Sequence, residues 1–204
     1  AAATKSAPFF LFPLLLGLAP GFKDRFKILI VSLLPLMITV IPYLQSTNFK
    51  SNALYTPQMQ KIFHASIPLS GGEFILIVPS LLLFLYIIYF LREKTKEDFL
   101  HFSILVLLGI LAFTHFHIQW FLWVAPFLII FSLSHWSKLV QWSIVGLGVS
   151  TVSMLFLFES SLQFQLFSPL FPILENSKGV HEILQDSQVV FLRSMAASTF
   201  LVSY

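Results

Sequence analysis

The sequence predicts an all-α fold: a polytopic transmembrane helical bundle with about seven membrane segments. Three observations predict it. Hydrophobic residues make up 57% of the 204-residue chain and charged residues only 10%, against about 25% charged in soluble domains. The apolar runs are long, and mean hydropathy is +0.86. The charged residues gather in short loops between those runs, as membrane orientation requires. The runs are continuously apolar and do not alternate as barrel strands do, so strands are not expected.

A spanning helix needs about 17–25 mostly apolar residues. The first run, Ala7 to Phe22, is short and contains Pro8, Pro13 and Pro20. Phe26 to Leu44 is clearer, with Pro35 and Pro42 inside it. Glu73 to Leu91 is the cleanest, broken only by Pro79. Phe99 to Phe113 and Ile118 to Leu133 form a tight pair around the stretch THFHIQW. Leu139 to Phe158 carries Gly146 and Gly148, and Gln188 to Tyr204 is the last run. Prolines are tolerated in such helices where neighbours satisfy the carbonyls they leave free. The chain opens AAATKS without Met and stops at FLVSY inside an apolar run. It therefore reads as a single helical domain, residues 1–204, that is a piece of a longer protein.

The loops between the runs alternate in charge. Residues 21–27, 92–98 and 134–138 hold seven Lys and Arg; the other side, at 45–72, 114–117 and 159–187, holds three. The positive-inside rule makes the basic loops cytoplasmic. The long loops at 45–72 and 159–187 and the THFHIQW corner then share the extracytoplasmic side. A formal charge of +3 distributed this way does not suggest nucleic acid. The absence of Cys excludes disulfides and thiolate metal sites.

Polar residues on the extracytoplasmic side are the candidates for chemistry. His115 and His117 would bind an anionic phosphate when protonated or a metal when neutral. Gln119, a neutral amide at the mouth of a span, wants a sugar or phosphate oxygen. Trp120 and Trp123 suit an aromatic belt at the membrane surface. The stretch Lys61 to Glu73 mixes apolar residues with Lys61 and His64 and would lie in the interface. Glu73 opens the third run, where an acid is favourable in a helix's first turn; with His64 it is also a candidate substrate contact. Lys5 is either a snorkelling anchor or a cation for a lipid phosphate. Arg193, inside the last run, must reach the surface, a cavity or an anion. Asp24, Glu93, Glu97 and Asp98 read as solvated charges in basic loops. No Ser-His-Asp signature, HExxH or Walker loop is present, and no carboxylate lies deep in a run.

The stretch from Phe113 to Pro126, FTHFHIQWFLWVAP, resembles a pattern in the C-terminal half of GT-C superfamily polytopic glycosyltransferases. There a His-Pro-Gln-Trp/Tyr-like motif opens a helix that continues Leu-Trp and reaches a proline; here Ile118 stands where the proline is common. Thr4 to Leu16, TKSAPFFLFPLLL, is similar to that superfamily's Lys-x-x-Pro-leading helix. The loop with Gly71-Gly72-Glu73 sits where such enzymes have an extracytoplasmic segment. The resemblance covers most of the chain in layout, through short and degenerate motifs. It implies transfer of a sugar from a polyprenyl-phosphate carrier, mannosyltransferase-like, on the extracytoplasmic side. It implies that His115, His117, Gln119, Trp120 and Lys5 contact donor sugar, phosphate or lipid. The catalytic acid, in an N-terminal loop of such enzymes, would lie outside this chain. A divalent metal in the full-length enzyme is admitted by the resemblance; the residues present assign no cofactor. The competing readings are a transporter or flippase-like protein for a lipid-linked or small polar substrate, and a structural membrane module.

Overall fold

The computed structural model describes residues 7–51, 61–114, 121–157 and 164–202. The described residues are mostly helical, and each of the seven apolar runs carries a helix. The chain divides into two compact units, residues 1–115 and 116–204.

In the first unit, a 3-10 segment at Ala7–Leu11 leads into α1, Phe12–Leu18. Pro13 sits in the first turn of α1, where a missing N–H is harmless to the helix itself. α2, Phe22–Val40, starts after the extended Gly21 and is prolonged by a 3-10 turn at Ile41–Tyr43. A one-turn helix at Thr47–Phe49 is capped by the Ser46 hydroxyl, which accepts from Phe49 N. Next come two short antiparallel strands, β1 at Ser66–Pro68 and β2 at Phe74–Leu76. α3 is Ile77–Leu91 and α4 is Lys96–Phe113.

Two tyrosines fix α1 against α3. The Tyr86 hydroxyl donates to Phe10 O at 2.6 Å. In a 3-10 turn that carbonyl would be served by residue 13, and Pro13 has no N–H to give. The Tyr89 hydroxyl donates to Leu14 O at 2.9 Å. Contacts that advance together along both helices mean that α1 and α3 run parallel. Gly17 lies against the rings of Tyr89 and Phe90, so the approach is close because no Cβ stands between them. α4 returns after a short loop, and Phe102 meets the Tyr89 ring at 5.3 Å between centroids. Leu14, Val78, Leu82, Leu85, Val106 and Ile110 complete this core. The α3 members recur at spacings of four and three, one helical face. The opposite face, with Leu83, Phe84 and Ile87, is exposed.

In the second unit, α5 is Phe121–Ser134, α6 is Lys138–Phe156 and α7 is Asp186–Val202. Each buries one stripe: Val124, Leu128 and Ser132 on α5; Leu147, Ser150 and Met154 on α6; Val189, Ala196 and Phe200 on α7. The rings of Phe121 and Phe200 lie 6.1 Å apart. Ser137 caps α6 by accepting from Val140 N at 3.3 Å.

Two expectations are corrected. Among the described residues only two helices are long and apolar enough to cross a membrane, not about seven: Phe22–Tyr43, with 22 residues, and Lys138–Phe156, with 19. Phe9–Leu18, Ile77–Leu91 and Phe121–Ser134 are apolar but shorter. An apolar run is longer than the helix inside it. The run from Glu73 spends its first residues in β2, leaving α3 with 15 residues, about 22 Å at 1.5 Å per residue. α4 opens on the charged Lys96-Glu97-Asp98. The second correction is the presence of strands. Ser66, Ile67 and Pro68 pair with Leu76, Ile75 and Phe74, closed by a loop in which Gly71 and Gly72 take φ of 89° and 86°. Two consecutive positive φ values require glycine.

The α1–α3 contact makes a prediction. Gly17→Val drives a branched side chain into the Tyr89 ring and should lower stability by about 1–3 kcal/mol. At Gly109 an added Cβ would meet only the mobile end of Leu81, 2.9 Å from its Cδ2. Gly109→Ala should therefore be close to neutral, helped by its better helix propensity of about 1 kcal/mol. Tm in detergent checks both; equal losses would sink the close-contact account.

Candidate functional site

Lys5, His115, His117, Gln119 and Trp120 lie outside the described residues. The site can be built from the elements that border them. Thr114, immediately before the THFHIQW corner, is the C-cap of α4. It is buried, and its hydroxyl donates to Ile110 O at 2.7 Å. Trp123 is half-buried, in the first turn of α5.

His64 and Glu73 are described, and both are exposed. The hairpin keeps them apart. His64 precedes the base of the ladder, where Ile77 N donates to Ala65 O at 2.9 Å. Glu73 is at the tip, where its carbonyl accepts from Leu69 N at 2.8 Å. Base and tip are four residues apart along the strand, about 13 Å. The two side chains do not form one site, and Glu73 is a turn residue, not the first-turn acid of α3. The hairpin and the segment before it expose Phe63, Ile67, Leu69, Phe74 and Ile75. This stretch folds as a β-hairpin with exposed apolar side chains.

The other end of the first unit is basic. Parallel α1 and α3 deliver their C-terminal ends together. The segments that follow, Gly21 to Lys27 and Arg92 to Asp98, therefore share that end. Arg25 Nε donates to Ala19 O at 3.2 Å. Arg92 Nη1 is 3.7 Å from Asp98 Oδ1. Lys94 Nζ sits 5.9 Å above the centre of the Phe90 ring, within cation–π range. A capping box starts α4: Thr95 Oγ1 accepts from Asp98 N at 3.0 Å, and Asp98 Oδ2 accepts from Thr95 N at 3.2 Å. The Asp98 carboxyl is held below its ordinary 3.8, first by the Thr95 hydroxyl; partial burial works against this, and Thr95 N, Arg92 and His101 add to it. Asp98 is thus an engaged helix cap, beyond the solvated charge expected of it.

Arg193 is tied to the second unit. Its Nε donates to Leu157 O at 3.1 Å, and its Nη2 donates to the same carbonyl. Leu157 is the C-cap of α6. A cation on a helix's last carbonyls satisfies an orphan acceptor and complements the negative end of the dipole. Of the destinations open to Arg193, the structure shows a buried helix end 36 residues away in sequence.

Sequence reasoning missed Tyr86 and Tyr89, whose signal was available: hydroxyls inside an apolar run need acceptors. It also missed Ser103, which is 0% exposed and whose hydroxyl has no partner among the described residues. A cavity of about 370 Å³ lies against the first turns of α7, lined by Leu184, Ser187, Gln188, Phe191 and Leu192. None of these is ionisable, and none is a candidate named from the sequence. Among the described residues no three His, Asp or Glu side chains converge to hold a metal. Comparison with protein-family models, with curated proteins and with solved structures finds no match.

The two polar anchors are testable. Thr95→Ala should cost about 1 kcal/mol. Because Asp98's folded pKa is lowered, its contribution is present above the unfolded value and lost as pH falls through the folded one. The gap in Tm between wild type and Thr95→Ala should therefore narrow in strongly acid buffer, where only the bond from Asp98 N to the Thr95 hydroxyl remains to be lost, and be largest at neutral pH. Arg193→Met should destabilise the protein by about 1.5–3 kcal/mol, and Arg193→Lys, lacking the fork, by less. A stable Arg193→Met protein would refute the capping role.

Proposed function

We propose that this chain is a polytopic membrane protein and part of a GT-C-like glycosyltransferase. It would transfer a sugar from a polyprenyl-phosphate donor on the extracytoplasmic side. The single observation that carries the membrane part is α2. The most apolar 18-residue stretch of Phe22–Tyr43 has mean hydropathy 2.0, and none of that stretch is buried. Phe22, Val31, Leu34 and Ile38 are each more than half exposed. Hydrocarbon is the solvent in which such a helix needs no covering. The shorter apolar helices would cross with their ends embedded in interfacial structure. Loops 21–27, 92–98 and 134–138 would be cytoplasmic. Exposed Trp136 and Trp142, on either side of Lys138, suit the interfacial belt there.

The enzymatic part rests on the resemblance at FTHFHIQWFLWVAP and TKSAPFFLFPLLL. In this reading His117 and Gln119 contact donor phosphate or sugar oxygens, and His115 is a second contact. Trp120 packs on the sugar or the lipid, and Lys5 pairs with the phosphate. His64 and Glu73 would contact substrate separately, one at each end of the hairpin. The catalytic acid would come from outside this chain.

The test is sugar transfer by the full-length protein from polyprenyl-phosphate sugars in liposomes. His117→Ala and Gln119→Ala should each reduce transfer at least about tenfold, the worth of one hydrogen bond to a charged group, with Tm unchanged. If wild type transfers nothing from any such donor, the glycosyltransferase reading fails and transport of a lipid-linked substrate takes its place.

A further inference from the structure

We infer that the basic end of the first unit is a docking surface for anionic phospholipid headgroups, assembled from two segments about 70 residues apart in sequence, each a turn that runs into the start of a helix. The inference rests on the membrane reading above and is independent of the glycosyltransferase reading. Its foundation is the parallel packing of α1 and α3. The Tyr86–Phe10 and Tyr89–Leu14 hydrogen bonds fix that direction. Residues 21–27 and 92–98 then join one surface, which neither segment forms alone.

The surface carries six cations, Lys23, Arg25, Lys27, Arg92, Lys94 and Lys96, against four carboxylates, Asp24, Glu93, Glu97 and Asp98. Asp98 is taken up by Thr95 and by Arg92, one of the six, which leaves five cations against three carboxylates. Lys23, Lys27 and Lys96 are exposed and make no ion pair among the described residues. Directly beside the cations stand exposed apolar side chains: Phe22 at 83%, Leu91 at 81% and Phe26 at 54%. A nucleic-acid duplex would offer phosphates to the cations but no apolar layer to these side chains. A bilayer surface offers both layers at once, phosphates to the ammonium groups and acyl chains to the rings and the leucine. Lysine stems reach across such a boundary, and four or more basic residues at the cytoplasmic mouth of a membrane helix draw anionic lipid.

The experiment uses the purified full chain in neutral detergent, titrated with short-chain phosphatidylglycerol or phosphatidylcholine and followed by Tm. Phosphatidylglycerol should raise Tm saturably, and phosphatidylcholine should not. Lys23→Gln/Lys27→Gln and Lys94→Gln/Lys96→Gln should each raise the half-saturating concentration about thirtyfold, and the quadruple variant about a thousandfold. These four lysines leave the Arg25 and Arg92 contacts intact, so the variants should fold. Lys61→Gln, beside the hairpin, should change nothing. Equal response to the two lipids, or loss in only one double variant, overturns the shared surface. Equal protection by inorganic phosphate overturns the lipid assignment in favour of a free-anion site. Release of the chain from native membranes by alkaline carbonate overturns the membrane reading and the inference together. An integral protein indifferent to phosphatidylglycerol overturns the inference alone.

Discussion

The docking of α1 onto α3 is the constraint on which the first unit depends. A seven-residue helix has too few hydrogen bonds to persist by itself. α1 holds because Tyr86 and Tyr89 each carry a donor to its backbone and Gly17 lets it approach. The tyrosines do two things at once. They satisfy their own buried hydroxyls, which would otherwise cost free energy in an apolar surrounding, and they set the direction of α1. Direction is the consequential part. Had α1 run antiparallel to α3, the loops at 21–27 and 92–98 would sit at opposite ends, and charge would not separate along the unit.

Helices of similar apolar character are solvated differently. α4 buries residues nearly all round, from Phe102 to Leu111. α2, with a comparable share of Leu, Ile and Val, buries none. α3 and α6 are intermediate, with one buried stripe and an exposed apolar remainder that includes Phe84, Ile87, Val145 and Val149. In a soluble protein contiguous apolar exposure on this scale marks an interaction surface. Here it recurs on helix after helix, while the charges, Arg193 apart, retreat to loops and helix ends. That pattern is what the membrane proposal explains, and a single protein partner would cover only part of it.

The positions of the helices were legible because prolines, glycines and charge clusters punctuate the apolar runs. Their lengths were not. Hydropathy measures how far a chain stays apolar, whereas helix length depends on where backbone bonding changes type. At Gly71-Gly72 two positive φ values fold the chain back, and the first apolar residues of the next run, Phe74 to Leu76, become a strand. Neither strand shows the alternation that would have announced it, and Pro68 argued against β1; it is tolerated on an exposed edge. At the site, the cost of a charge at Arg193 was legible but its partner was not, because Leu157 O is distant in sequence. Glu73 misled for a related reason: an acid ahead of an apolar run signals a helix start only if the helix begins there. His115, His117, Gln119, Trp120 and Lys5 rest on the motif alone.

The hairpin sets a limit on how the first unit would sit in a bilayer. The ladder's bonded pairs are Ala65–Ile77 and Leu69–Glu73, so alternation places Ile67–Ile75 among them. The N–H groups of Ser66, Phe74 and Leu76 then point outward, and only Pro68 has none to leave unsatisfied. An open strand edge of this kind cannot face hydrocarbon, where each orphan group costs several kcal/mol. The apolar side chains of Ile67, Phe74 and Ile75 pull toward lipid while their backbone pulls toward water. The headgroup region satisfies both. In the membrane proposal, with the hairpin in that region, α3 at about 22 Å would be left to cross most of a hydrocarbon core of about 30 Å. The shortfall is of the size that local thinning and snorkelling accommodate, and the lysines at the far end of α3 are the residues able to snorkel. In the membrane proposal the two ends of the unit would therefore be coupled: a hairpin fixed in one interface would call for long, flexible cations at the other.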